Sequence, residues 1–241
     1  MTEASPLDDP RPILEHLDEL RSRLFKISIA VVLAGIGAAV FADPLRVVLE
    51  APFHAAAPEA SLQTLAPGEQ WGVLMRIGLF GGLIIASPVV LYQIWAFILP
   101  ALTGKERRSA IPVVAALVVL FVGGVVFGYL VLPRGLAFLL GIFGDVDNNL
   151  RMGEYYSFVL RFLLAFGATF LFPVFLIAAA AAGIIGSEHL ARGRRWAVLV
   201  MVIGAALITP TGDALTLVAL TVPLYLLYEA CYWVVRLVLR K

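Results

Sequence analysis

The sequence predicts an all-α integral membrane protein with six transmembrane helices and both termini in the cytoplasm. Three observations predict it. Hydrophobic residues fill 61% of the 241 positions, charged residues only 15%, and the mean hydropathy is +0.94. A soluble domain carries about 25% charge and about 45–50% apolar residues. The apolar residues come in six continuous runs, not in period-two alternation, which favours helices over an outer-membrane barrel. Lysine and arginine are shared unequally between the links that join the runs, which sets the orientation.

The runs are Leu24–Phe41, Trp71–Leu99, Ala110–Leu132, Phe158–Ala182, Trp196–Ile208 and Ala214–Val235. Together they make one six-span domain over residues 1–241. The first run begins too late for a cleavable signal peptide: Asp8, Asp9, Glu15, Asp18 and Glu19 precede it, where such a peptide needs a basic start and an immediate apolar run. Thirteen lysines and arginines fall before span 1 or at its start (Lys26), after spans 2 and 4, and in the tail; three (Arg46, Arg134, Arg151) fall on the opposite side. Basic residues collect on the cytoplasmic side, so both ends lie inside.

The last two spans are short. Trp196–Ile208 has 13 residues, about 20 Å of helix against a hydrocarbon core of about 30 Å. The turn Thr209-Pro210-Thr211-Gly212-Asp213 joins it to span 6. Such a pair either thins the bilayer or is shielded by neighbours. Residues 42–70 and 133–157 form longer outer links, and short helices there would bury patches such as Leu45–Glu50 and Leu136–Leu140. Pro88, Pro112, Pro173 and Pro223 each favour a bend in a span, and bent spans would enclose a concavity. Pro52 is expected to cap the first outer helix. Trp71, Trp95, Trp196 and Trp233 stand near span ends, as an interfacial belt does.

Several function classes are excluded. A net charge of +1 gives no field for nucleic acid. The single cysteine, Cys231, rules out a disulfide framework and a multi-cysteine metal site, and reads as an inert apolar residue. His16, His54 and His189 all lie outside the spans and form no H-E-x-x-H motif, so no catalytic residue, metal site or cofactor is expected. An ion pathway needs ionisable groups deep in spans. Arg76 and Arg161 stand near outer ends, where they can snorkel, and Glu229 near an inner end, facing the inner cavity or pairing with a basic residue there.

The carboxylates at the inner face are the informative ones. His16-Leu17-Asp18-Glu19-Leu20-Arg21-Ser22-Arg23-Leu24 reads as an amphipathic helix with Leu17, Leu20 and Leu24 on one face and Glu19 beside it. Glu106 stands among Lys105, Arg107 and Arg108 in the first inner loop. By composition alone both read as solvated faces with local ion pairs.

In this order, however, the residues resemble the TatC family of twin-arginine translocase subunits. The resemblance rests on His16–Arg21, on Ser87–Phe97 with its Tyr92-Gln93-Ile94-Trp95-Ala96-Phe97 run, and on Pro100-Ala101-Leu102 with Glu106-Arg107-Arg108. It continues through Phe127-Gly128-Tyr129, Ala165-Phe166-Gly167, Pro173, the Thr209–Asp213 turn, Pro223-Leu224-Tyr225 and Tyr228-Glu229, covering residues 13–236.

The resemblance implies a receptor with no enzymatic activity. It implies that Glu19 and Glu106, with Leu20, Arg21, Arg107 and Phe97 around them, bind the paired arginines of a signal peptide on folded cargo. It implies single-span TatA- and TatB-type partners, oligomers of TatC-containing units, transport driven by the proton-motive force, and a place in a bacterial plasma membrane. A contact with a partner helix is implied at Leu171, Thr209, Asp213, Thr216 and Leu217. Two of these depart from the family pattern: Leu171 and Leu217 replace the polar residues usual there, leaving Thr209, Thr216 and Thr221 as weaker donors. The alternative reading is a six-span small-solute transporter or a membrane scaffold.

Overall fold

The computed structural model describes residues 11–98, 110–141, 150–181, 183, 185–208 and 214–239. The amphipathic opening and the first span are one helix, α1, Arg11–Val40. It carries Phe25, Val32, Leu33 and Ile36 exposed, as a bilayer-facing helix should. α2, Ala42–Ala56, follows after one residue. Pro52 stands inside α2 and is buried, so it does not cap the helix; the C-cap is Ala57. With Phe53 fully buried, this turn of α2 faces the core.

The second span is broken. α3 (Glu69–Arg76) passes into a π-helical turn (Ile77–Gly81) and then α4 (Gly82–Ile85). α5 (Ser87–Ile98) follows a bend of 54°. Pro88 is the second residue of α5, where its missing N–H costs no bond but the upstream helix cannot continue. The same logic acts in the fourth span. α7 (Met152–Thr169) stops, and α8 (Phe172–Ala181) begins with Pro173 as its second residue. Pro112 sits in the first turn of α6 (Ala110–Gly141), and Pro223 lies within α10 (Ala214–Val234), which runs through it. Thus two of the four prolines coincide with breaks.

α6 also runs through Pro133 to Gly141. Leu136–Leu140 is therefore its last turns, not a separate helix over the outer face; Leu136 is buried against the core. α9 (Ser187–Ile208) starts nine residues before its apolar part, and α10 ends in a π-helical turn, Val235–Leu239. Three helical stretches are long and apolar enough to cross a membrane, Leu17–Val40, Pro112–Gly141 and Met152–Ala180, and the bent second span makes a fourth. Among the described residues α9, of 22 residues, and α10, of 21, are not among these stretches.

One end of the bundle is tied together by a polar cap. A two-residue parallel pair joins β1 (Leu62–Gln63) to β2 (Leu150–Arg151). The buried Glu69 accepts from the Arg151 Nε, the Gly153 N–H and the Leu65 N–H, each at 2.9 Å. Tyr155 donates to the Leu49 carbonyl at 2.5 Å and Tyr129 to the Val48 carbonyl at 2.8 Å. Tyr156 donates to Glu50, which also holds Arg46. The hydrogen bond with Tyr156, then the Glu50 carboxylate, pushes the Arg46 guanidinium above its ordinary pKa, so it stays charged. These bonds fix α2 to the start of α7 and satisfy polar groups that burial would otherwise penalise.

Below the cap, a main core joins α2, α3, α6, α7, α9 and α10, with Phe162 and Phe166 at its centre, ring centroids 4.5 Å apart. A second cluster, Leu91, Trp95, Leu117, Phe121 and Val174, holds α5 and α8 to α6. Trp95 is thus a core residue, while Trp71, Trp196 and Trp233 are exposed as a belt requires. Cys231 is buried, its thiol 3.6 Å from the Pro173 carbonyl.

Candidate functional site

The end of α1 opposite the cap carries the candidate site. Glu19 and Arg23 lie one turn apart on α1, the i, i+4 spacing that brings an acid and a base together. Arg23 donates to one Glu19 carboxylate oxygen through Nε at 3.0 Å and Nη2 at 2.5 Å. Its Nη1 reaches the Gln93 carbonyl oxygen on α5 at 3.3 Å. Both charged side chains remain partly open to solvent. The bend at Ala86 places Gln93 here, because α5 would otherwise continue along the line of α3 and α4.

Around this trio the surface is apolar and unpacked. Leu17, Leu20 and Leu24 are all exposed, as are Tyr92 and Ile94 on α5. Arg21 is exposed, and Phe97 is half-buried. The site thus combines a carboxylate that already holds a guanidinium with a leucine face about half open to its surroundings. Glu106 and Arg107 lie outside the described residues.

Two residues of this constellation went unassigned by sequence reasoning. Arg23 carried a signal, its four-residue spacing from Glu19. Gln93 carried none that separates it from its neighbours, since only tertiary structure brings it 70 positions back to α1.

The proposed partner-helix residues scatter. Leu171, between α7 and α8, is half-buried against the second cluster, and Leu217 packs against the main core. Thr209 and Asp213 lie outside the described residues; Thr216 falls within α10, its side chain outside the description. Glu229 resolves toward pairing. Arg194 donates to it at 2.9 Å and Tyr225 at 3.0 Å. The Arg194 guanidinium also lies 4.8 Å from the centre of the Tyr232 ring. This cluster joins α9 to α10. Among the described residues no group of three or more His, Cys, Asp or Glu side chains could hold a metal ion.

The family model for the Sec-independent protein translocase protein (TatC) matches residues 15–223. The chain belongs to the TatC family. The protein of this family from Aquifex aeolicus is 42% identical over 235 residues, covering 95% of this chain and 97% of its own. The one from Xylanimonas cellulosilytica is 40% identical over 222 residues, covering 90% and 80%. The chloroplastic form from Pisum sativum is 35% identical over 237 residues, covering 98% and 67%. A crystal structure of a twin-arginine translocase receptor, TatC, superposes with a TM-score of 0.79 at 40% identity over 93% of this chain and all of that one. A second, in DDM, gives 0.80 at 39% identity, over 92% and 100%. As a TatC-family member the chain is a multi-pass membrane subunit of a protein translocase and not an enzyme.

Proposed function

We propose that this subunit is the receptor that binds the paired arginines of a signal peptide at Glu19 and Glu106. The observation that carries the reading is the Glu19–Arg23 pair, in which the carboxylate takes a guanidinium through two N–H groups. In that pair both N–H groups meet one oxygen; an incoming arginine can instead form two parallel hydrogen bonds to both carboxylate oxygens, and lysine, a point charge, cannot copy the fork. A second carboxylate at Glu106 would meet the second arginine of the pair. Arg23 is paired with Glu19, so an incoming arginine exchanges with it, and Gln93 is placed to retain Arg23 during the exchange. The exposed Leu17, Leu20 and Leu24 offer a track for the apolar part of the peptide, with Arg21, Phe97 and Arg107 at the margins.

In this reading the Glu19 end faces the cytoplasm of a bacterium, the α2 cap faces outward across the plasma membrane, and TatA- and TatB-type single-span subunits assemble on the bundle. The proton-motive force then drives passage of the folded cargo.

A photo-crosslinking probe at position 106 tests it. Crosslinks to an Arg-Arg precursor and none to its Lys-Lys variant are expected. Equal crosslinking to both would overturn the assignment and favour a membrane scaffold. A separate experiment addresses the partner helix. The double change Leu171→Glu and Leu217→Gln restores polar groups where the family usually has them, and it should strengthen co-purification of a TatB-type subunit severalfold. Unchanged association would mean that shape packing is sufficient.

A further inference from the structure

We propose that Arg161 and the groove beside it form a phospholipid site, with the lipid phosphate on the guanidinium and one acyl chain lying along the groove. α7, α8 and α9, with Leu224 of α10, line a cavity of about 730 Å³. Its walls are apolar apart from Arg161 and Thr169, and the Thr169 hydroxyl is committed to the Ala165 carbonyl at 2.6 Å. Arg161 is exposed and, among the described residues, has no hydrogen bond or ion pair. The groove therefore presents one cation and a long apolar floor, the complement of an anionic amphiphile.

Depth makes the unpaired charge significant. Arg161 lies nine residues into α7, about 14 Å along the helix from Met152. It falls within the apolar stretch Met152–Ala180. A guanidinium there is costly unless an anion or headgroup water reaches it. Arg161 lines the same groove as Gly204 and Ala205, which lie in the last turns of α9. Ile208, the end of α9, is thus only about one turn above. The headgroup boundary lies beyond that end of the helix, on the α2 side. The arginine side chain snorkels up to meet it, and its fork takes a phosphate through two hydrogen bonds.

The groove is continuous from Arg161 to Phe175, a path that an extended acyl chain can follow. A Cβ built on Gly204 meets nothing within 4 Å, so the floor is open at that point. None of this depends on the signal-peptide reading.

Native mass spectrometry of the full chain, titrated with phosphatidylglycerol, tests the site. Arg161→Ala should weaken the tightest lipid-binding event about tenfold, the loss of roughly one charge-assisted contact, and Arg161→Lys should restore part of it. Gly204→Phe fills the groove without touching the cation, and should cost a similar factor. Diacylglycerol, which lacks the phosphate, should bind both forms alike, and inorganic phosphate should not displace the lipid. Equal phosphatidylglycerol binding by wild type and Arg161→Ala would overturn the proposal, as would unaltered binding by Gly204→Phe or displacement by inorganic phosphate. A membrane-spanning peptide bearing one glutamate, bound only when Arg161 is present and in place of the lipid, would assign the groove to a partner helix and also overturn it.

Discussion

Replacing Glu106 by Gln is expected to weaken binding of an Arg-Arg signal peptide severely while leaving membrane insertion intact. The change keeps the size and planar shape of the side chain and removes only its charge. A hydrogen bond to a charged group contributes about 1.5–3 kcal/mol, so the loss of one arginine fork weakens binding about ten- to a hundredfold. Glu19→Gln should act in the same direction, with an added consequence: Arg23, now held by Glu19 at 3.0 Å through its Nε, loses its carboxylate. Binding is best read in detergent, by fluorescence anisotropy of a labelled Arg-Arg peptide against its Lys-Lys counterpart. Wild-type affinity in Glu106→Gln would sink the assignment of that residue. A preference for Arg-Arg that survived both substitutions would sink the receptor site as a whole.

The second large effect is steric. A methyl group at Gly82 would stand 2.5 Å from the Gly35 Cα and 2.6 Å from the Gly35 nitrogen, both backbone atoms of α1. Backbone cannot swing aside as a side chain can, so Gly82→Ala must push α1 and α4 apart. Overpacking of this kind costs about 1–3 kcal/mol. Gly37 on the same helix provides the control, since a Cβ there meets nothing within 4 Å; Gly37→Ala should stay within about 0.5 kcal/mol of wild type. Thermal unfolding of the detergent-solubilised variants decides it, and a Gly82→Ala protein as stable as Gly37→Ala would show that the contact is looser than drawn. Function should follow stability, because α1 carries Glu19 while α5, attached to α4, carries Gln93. Moving one against the other opens the Arg23–Gln93 bond.

Much of the architecture was legible because in a bilayer hydrophobicity acts directly on the chain. Long apolar runs announce apolar helices without any tertiary information. The interruption of spans was harder to see. Four prolines looked alike in sequence, yet only Pro88 and Pro173 follow breaks; Pro223 lies within a continuous helix. A proline in a membrane helix bends it only if neighbouring groups do not compensate for the missing bond. Trp95 likewise looked like a belt residue by position. Packing against Leu91, Leu117 and Phe121 makes it core.

The sequence by itself determined the class of the molecule, its apolar runs, its family, and the residue types on which recognition of an arginine pair would depend. Those follow from composition, periodicity and motif order, which are local. Tertiary structure alone decided that Gln93 joins the Glu19–Arg23 pair from α5, that Arg194 pairs with Glu229, and that Arg161 opens onto an apolar groove. Each of these depends on the angle and separation of helices far apart in the chain. Those angles are set by close contacts such as Gly35 against Gly82 and by the break at Ala86, where steric exclusion between particular atoms, rather than hydrophobic pattern, chooses the geometry.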